Sequence, residues 1–366
     1  MYAGYGVGVG VGWPEDPNSL LIGPRGRRLC WALVVDMGAP ARERIGAAWG
    51  QVGFDSLGAD PAELAGELAA AVGQADWHAV VAGMNEVALV GPLAESVTWA
   101  MYWQRPDGVD RALAYPEVAD ALRPVAHAVT AAAAARWWPG GADLGAQQYV
   151  APVEGTGAGP ALSGAADRLA AWLAAEAKDE HSAAGRPDDP AANYSGHWWS
   201  SPALAGLVST TRALPGLGAL QLRAKEDWPG WDEVRCWPVM PRRVPRTYEI
   251  AGPDDWVALV ARYPLDVSKS RRHDWWRVTG WAGSWLMPDY AAAAFDYDAI
   301  HLSVGGYLTT AGNALPVDGA RCLLAGWDPD ETYWLADVLA AAGPPVRWIW
   351  EGLPHLCWRP EPPCDE

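Results

Sequence analysis

The chain has 366 residues, enough for two ordinary domains or one large one; half of them are hydrophobic and 19% are charged, which excludes wholesale disorder. Its 44 acidic against 27 basic side chains leave a formal net charge of −17, so a global basic footprint for nucleic acid or anionic lipid is absent. Five widely spaced cysteines without a C-x-x-C pair argue against zinc or thioredoxin chemistry and for free thiols in a reducing, cytoplasmic setting. Neither a signal peptide nor an apolar run of about 18 residues is expected.

Residues 1–28 form a Gly- and Pro-rich arm. Gly6 to Gly12 repeat G-x-G spacing, but no strand precedes them and Trp13 and Pro14 follow, so an edge or flexible segment is expected rather than a dinucleotide-binding turn. The run Leu29–Val35 suits a buried strand or a first helical turn. Asp60 and Pro61 predict a helix start, with Leu64, Leu68, Ala71 and Val72 as its apolar stripe. Gly91 and Pro92 read as the start of a second helix, and Tyr115 and Pro116 as the start of a third that runs to Trp137 and Trp138. A fourth is expected from about Gly164 to Lys178. Residues 29–182 therefore read as an Ala-rich, mostly helical domain. Residues 183–193 are polar and proline-interrupted, as a linker would be. Residues 194–353 read as a Trp-rich α+β domain, with strands at 246–250, 299–304 and 321–325. Helices are predicted from Gly252 to Tyr263 and from Thr332 to Ala342. Residues 354–366 form an extended tail, and the whole is assigned to the α+β class.

The composition carries one anomaly: 24 tryptophans against two phenylalanines, Phe54 and Phe295. Trp buries a large flat surface, offers one N–H donor, and stacks on rings and cations. Eight of the 24 fall in residues 228–285, interleaved with ionisable groups. Three acids accompany Trp228 and Trp231 between Asp227 and Glu233. The segment Arg271 to Arg277 mixes bases, His273 and Asp274 with Trp275 and Trp276. Asp328, Asp330 and Glu331 cluster beside Trp327, and His301 interrupts an apolar strand. A histidine with nearby carboxylates can move protons, and arginines beside indoles can hold an anionic, ring-bearing substrate. The candidate catalytic residues are accordingly His301 with Glu331 or Asp330, and the candidate substrate-binding residues are Arg271, Arg272, Trp275, Trp276 and Trp327. Structural readings stand beside these. Asp328 or Asp330 suits the N-cap of the helix predicted after it. His301 fits a satisfied structural histidine, and His273 and the Arg25–Arg28 cluster fit solvated loops. No metal-binding spacing of histidines, no G-x-S-x-G elbow and no Walker motif occurs.

Most of the chain resembles an uncharacterised, Streptomyces-type family of Trp-rich actinobacterial proteins. The matching stretches include Thr210–Gly218, Trp275–Gly280, Asp298–Leu308, Ala325–Leu335 and, near the start, Gly23–Cys30. That resemblance implies no activity. Two short segments also resemble ADP-ribosyltransferases of the Arg–Ser–Glu type: Leu207–Arg212, with Ser209, Thr210 and Thr211, and Arg246–Ile250, with Tyr248 and Glu249. The resemblance implies that Ser209, Thr210 and Glu249 support an NAD site. The family's Glu/Gln-x-Glu loop is matched only by Asp328, Pro329 and Asp330, with the shorter acid at both ends. Its upstream arginine has no counterpart in strand context, since Arg136, Arg168 and Arg186 all lack it.

Three readings follow from the sequence. The first is an intracellular enzyme acting on a ring-bearing small molecule or nucleotide, with ADP-ribosyl transfer as its most concrete version and NAD as the cofactor. The second is a non-enzymatic aromatic cleft for a carbohydrate, peptide or cationic ligand. The third is a structural or interaction protein in which Trp fills the core in place of Phe. A small-molecule partner is expected, without nucleic acid or membrane; the oligomeric state stays open.

Overall fold

The computed structural model describes residues 13, 16–36, 49, 52, 60–153, 159–352 and 358–361. Gly6 to Gly12 lie outside the described residues.

The α+β assignment holds, and local chemistry explains most of the helices. Helix α1 (Pro24–Asp36) contains the whole run from Leu29 to Val35, with Leu29, Cys30, Leu33 and Val34 buried, so that run is helical and not a strand. Helix α2 (Pro61–Val72) starts as its sequence predicts: the Asp60 carboxylate accepts the Ala62 N–H at 3.0 Å, and Pro61 fills a first-turn position that needs no donor. Helices α3 (Trp77–Ala82) and α4 (Glu86–Thr98) are capped by Asp76 and Asn85. Helix α4 passes through Pro92 instead of restarting there. Its buried stripe of Leu89, Val90, Leu93 and Val97 packs against α1 and outweighs the lost hydrogen bond. Short helices α5 (Gly108–Ala112), α6 (Pro116–Ala121) and α7 (Arg123–Ala131) follow, and then the long α8 (Ala165–Ser182).

Strand β1 (Gln147–Pro152) precedes α8, within the segment expected to be helical. The remaining strands are β2 (Ser209–Leu214), β3 (Gly218–Ala219), β4 (Glu233–Pro241), β5 (Thr247–Ile250), β6 (Pro264–Asp266), β7 (Trp285–Pro288), β8 (Ala299–Leu302), β9 (Leu315–Val317), β10 (Ala320–Cys322), β11 (Glu331–Trp334), β12 (Leu339–Ala341), β13 (Val346–Trp350) and β14 (Trp358–Pro360). Helices α9 (Pro253–Arg262), α10 (Arg272–Thr279), α11 (Tyr290–Ala293) and α12 (Val304–Thr310) lie between them. The main sheet runs β14-β13-β4-β1-β2-β11-β8-β5, with β12 on β4 and β3 on β2. The second sheet runs β6-β7-β10-β9.

The helix predicted from Thr332 to Ala342 is not formed. Residues 331–334 are a central strand, buried on both faces, and 339–341 pair with β4. A strand covered on both sides needs no polar alternation, which is why its pattern does not read as a strand. The N-capping roles suggested for Asp328 and Asp330 fall with that helix.

One apolar cluster extends from Leu20 to Leu335 and so continues across residues 183–193. Much of the tryptophan excess belongs to it: Trp138, Trp256, Trp275, Trp285 and Trp327 are among the largest fully buried side chains. Arg25 and Arg28 are buried as well, paired with Asp110 and Asp107, rather than solvated. Cys30, Cys236 and Cys322 are buried free thiols. Among the described residues no helix is long and apolar enough to cross a membrane.

Candidate functional site

Strands β5, β8, β11 and β2 lie side by side, and their register places Glu249, His301, Thr332 and Thr210 in one row across them. Side chains alternate faces along a strand, so Glu331 and Tyr333 turn to the opposite side from that row. The sheet therefore separates two of the predicted partners, His301 and Glu331.

On the His301 face the groups form a closed clasp. The ring Nδ1 is 2.5 Å from Glu249 Oε2, and Nε2 is 3.4 Å from Asp330 Oδ1. Asp330 also accepts the Arg212 backbone N–H at 2.9 Å and its Nε–H at 3.3 Å, and the Arg212 guanidinium lies over Trp137 at 4.3 Å. The loop after Trp138 is tied down by the same charges: Ala142 N–H donates to Glu249 Oε1 at 3.2 Å, and Arg212 Nη2 donates to the Gly141 carbonyl at 3.3 Å. A Cβ on Gly141 would stand 2.9 Å from the Glu249 carboxylate, so glycine allows this approach. Burial opposes charge on His301, but Glu249 and Asp330 outweigh it and raise the ring to about 9. The imidazolium is 0% exposed, with both ring nitrogens turned towards carboxylates. Thr210 continues this polar seam, donating to Gln147 Oε1 at 2.5 Å and accepting from Trp334 Nε1 at 2.8 Å.

The Glu331 face opens into a cleft of about 170 Å³. Glu331, Asp328, Lys225, Glu226 and Asp227 supply its charge, and Trp199, Trp231 and Tyr333 its aromatic walls. Asp328 is fully engaged: Lys225 Nζ at 2.9 Å and Gln221 Nε2 at 3.1 Å on one oxygen, Glu226 N–H at 2.8 Å on the other. Glu331 is held more loosely, by the Asp328 N–H at 3.1 Å and Gln221 Nε2 at 3.4 Å, with the Ser209 hydroxyl beside it. Burial and the neighbouring Asp328 charge raise the Glu331 carboxyl to about 7, against the pull of Lys225 and Ser209. Glu226 is pushed well above the usual carboxylate range, first by burial and then by Asp328. Lys225 stays charged because Asp328 and Glu331 overcome the cost of its burial. Of the three non-glycine residues with left-handed backbone among the described residues, Asp227 lines the cleft and Asp330 immediately precedes Glu331. Such a conformation costs about 1–2 kcal/mol and persists where surrounding contacts hold it, often at functional sites.

Several predicted site residues lie elsewhere. Arg271 is buried, with Nη2 on Glu176 Oε2 at 2.7 Å and Nε on the Trp199 carbonyl at 3.2 Å, so it positions a cleft wall and binds no anion itself. Arg272 donates to the Pro187 carbonyl and to Asp188 at 2.7 and 2.9 Å. Trp275 is a core residue whose Nε1 reaches the Trp198 carbonyl at 2.7 Å, and Trp276 stands beside Arg105 at 5.8 Å. Trp327 is buried behind the cleft and donates to the Glu331 carbonyl at 3.1 Å. His273, expected to be exposed, is buried. Of the suggested cofactor set, Ser209 faces Glu331, whereas Thr210 and Glu249 belong to the opposite face. Sequence reasoning did not single out Lys225, Gln221 or Glu226. One signal for Lys225 was present: it is one of three lysines in an arginine-dominated chain, beside Glu226, Asp227 and Trp228. Among the described residues no group of three His, Cys, Asp or Glu side chains is arranged to hold a metal ion.

Compared with known proteins, the chain matches no family model, no curated protein and no solved structure.

Proposed function

We propose that the protein is an intracellular enzyme acting on a ring-bearing small molecule or nucleotide, with Glu331 as its acid–base group. The observation that carries this reading is a buried carboxyl at about 7 facing an open cleft, where either protonation state is accessible near neutral pH. Trp199 and Trp231 offer faces for the ring, and Lys225, paired with Asp328, holds the carboxylate cluster that Glu331 belongs to. Trp198 stacks on Trp199 at 4.3 Å and, with Arg271, holds that wall in place. Free buried thiols support an intracellular location.

The most concrete version is ADP-ribosyl transfer from NAD. The glycosidic bond to nicotinamide breaks, the electron pair leaves with the ring nitrogen, and a carboxylate stabilises the oxocarbenium-like ribose. The acceptor's oxygen or nitrogen then bonds to that carbon and gives its proton to Glu331. Proximity of Ser209 to Glu331 supports this version, because it joins the serine of the Ser209–Thr211 strand to the candidate glutamate. With water as acceptor, the products are nicotinamide, ADP-ribose and a proton.

The test is nicotinamide release from NAD at about 1 mM, followed chromatographically, together with the shift in Tm that ligand binding requires. The wild type is expected to release nicotinamide and to gain stability, and Glu331→Gln to lose at least about 100-fold in rate while keeping the shift. Absence of both signals in the wild type overturns the NAD version. A shift without turnover favours the alternative reading, an aromatic-cleft binding protein.

A further inference from the structure

A second cavity, of about 740 Å³, shares no lining residue with the Glu331 cleft. It lies between α1, the segment 99–115, and residues 277–321. Its lining holds six arginines and one carboxylate, Asp110, in a protein of net charge −17. Asp110 is already engaged by Arg25 and Arg28, and Arg277 by Asp274 at 2.6 Å.

Three of the arginines have no carboxylate partner among the described residues. Arg27 donates through Nη1 to the carbonyls of Leu21 and Ile22 at 2.9 and 3.0 Å, and its buried Nε has no partner. Burial, with repulsion from Arg25, pulls it below the usual arginine value against the attraction of Asp110, which lies near it without an ion pair. Among the described residues Arg105 stands over the face of Trp276, at 5.8 Å, and makes no hydrogen bond or ion pair. Arg321 lies 4.2 Å over Trp281 and spends Nη1 on the Ala314 carbonyl at 3.1 Å. Each guanidinium carries five donors in a planar fork that matches a carboxylate or phosphate, and most of these donors are unspent. The remaining walls are largely apolar or aromatic, with Trp99, Tyr115 and Leu315 among them. A volume of this size suits a small molecule.

We propose that this cavity binds a small organic anion, with an apolar or aromatic body against those walls and a phosphate or carboxylate held by Arg27, Arg105 and Arg321. In a chain of net charge −17, a cavity lined by three guanidiniums without ion-pair partners among the described residues is a place where an anion is favoured. The proposal is independent of the reading of the Glu331 cleft.

Calorimetric titration and tryptophan quenching on the full chain test it, with phenyl phosphate, benzoate and neutral benzyl alcohol as probes. Saturable binding of at least one anion is expected, weakened by added salt, with benzyl alcohol at least ten-fold weaker. Which of the two anions binds tighter identifies the head group. Arg105→Met and Arg321→Met should each weaken binding about ten-fold, and Glu331→Gln should leave it unchanged. Circular dichroism reports the fold of each variant; Arg105, which is exposed and holds no ion pair among the described residues, keeps the test decisive if Arg321→Met misfolds. The proposal is overturned if neither anion binds saturably, if benzyl alcohol binds equally well, or if Arg105→Met binds like the wild type.

Discussion

Asp330 and Glu331 are adjacent in the chain, yet they serve opposite faces of one sheet. Asp330 closes the clasp around His301, while Glu331 meets Asp328, Gln221 and Ser209 in the cleft. A proton-moving trio of His301, Asp330 and Glu331 is therefore ruled out by the alternation of the strand that carries Glu331. His301 is a positioning residue whose charge ties β5, β8, the turn before β11 and β2 together. Replacing it with glutamine leaves two acids facing a neutral group. His301→Gln is expected to lower unfolding stability by about 1–3 kcal/mol, because Asp330 keeps Arg212 and Glu249 is partly exposed, measured by urea denaturation. Activity per folded molecule should be retained; loss of turnover in the folded variant would assign His301 to the chemistry instead.

At the scale of elements, helix α10 turns from a substrate-binding segment into a bracket. Arg271 at its start reaches Glu176 on α8 and the backbone of Trp199, while Trp275 packs against Trp285 on β7 with ring centroids 5.1 Å apart. Arg271→Met is expected to cost about 3–5 kcal/mol through the uncompensated Glu176, and to raise KM more than it lowers kcat, because the Trp199 wall loses its support. Denaturant titration and steady-state kinetics read the two effects separately; unchanged stability would mean that the Arg271–Glu176 pair is not holding α8 to α10. Element by element, the starts after Asp60 and Gly252 were legible because the Asp60 cap and the first-turn prolines of both helices are local chemistry. The strand at 331–334 was not, because its two faces are buried by separate apolar clusters, one holding Tyr333 and the other Trp334, that only the tertiary structure assembles. The tandem at Trp275 and Trp276 misled for the same reason: an indole in a core and an indole in a cleft have the same sequence.

For the whole molecule, the perturbed groups give a pH dependence with a definite sign. His301 is raised from 6.5 to about 9, so its stabilising contribution is complete below about 6.5 and lost as pH rises through 9. Glu331 is raised from 4.5 to about 7; between those values the unfolded chain ionises while the folded one resists, and stability falls. Asp298, held far below its usual range by Arg243 and Arg246, contributes stability at neutral pH that is lost only in strong acid. Tm is therefore expected to be highest in mildly acidic solution and to fall on the alkaline side. His301→Gln should flatten the decline between about pH 6.5 and 9, and Glu331→Gln the decline between about 4.5 and 7. Differential scanning calorimetry across pH checks this; a wild-type Tm that rises steadily from pH 5 to 9 would contradict both assignments.

The sequence alone determined the α+β class, the acidic character of the chain, the helix starts after Asp60 and Gly252, and the presence of a histidine, carboxylates and indoles within residues 198–334. These follow from composition and from interactions within a few residues. Tertiary structure alone decided which of those groups meet. Register and strand alternation paired His301 with Glu249 and Asp330 and sent Glu331 to Lys225 and Asp328, more than a hundred residues from Lys225. Packing buried most of the tryptophans that looked functional, and brought Arg27, Arg105 and Arg321 from distant segments to one cavity. Such encounters depend on the side to which each side chain turns in a sheet and on what lies opposite, and neither is encoded in local residue spacing.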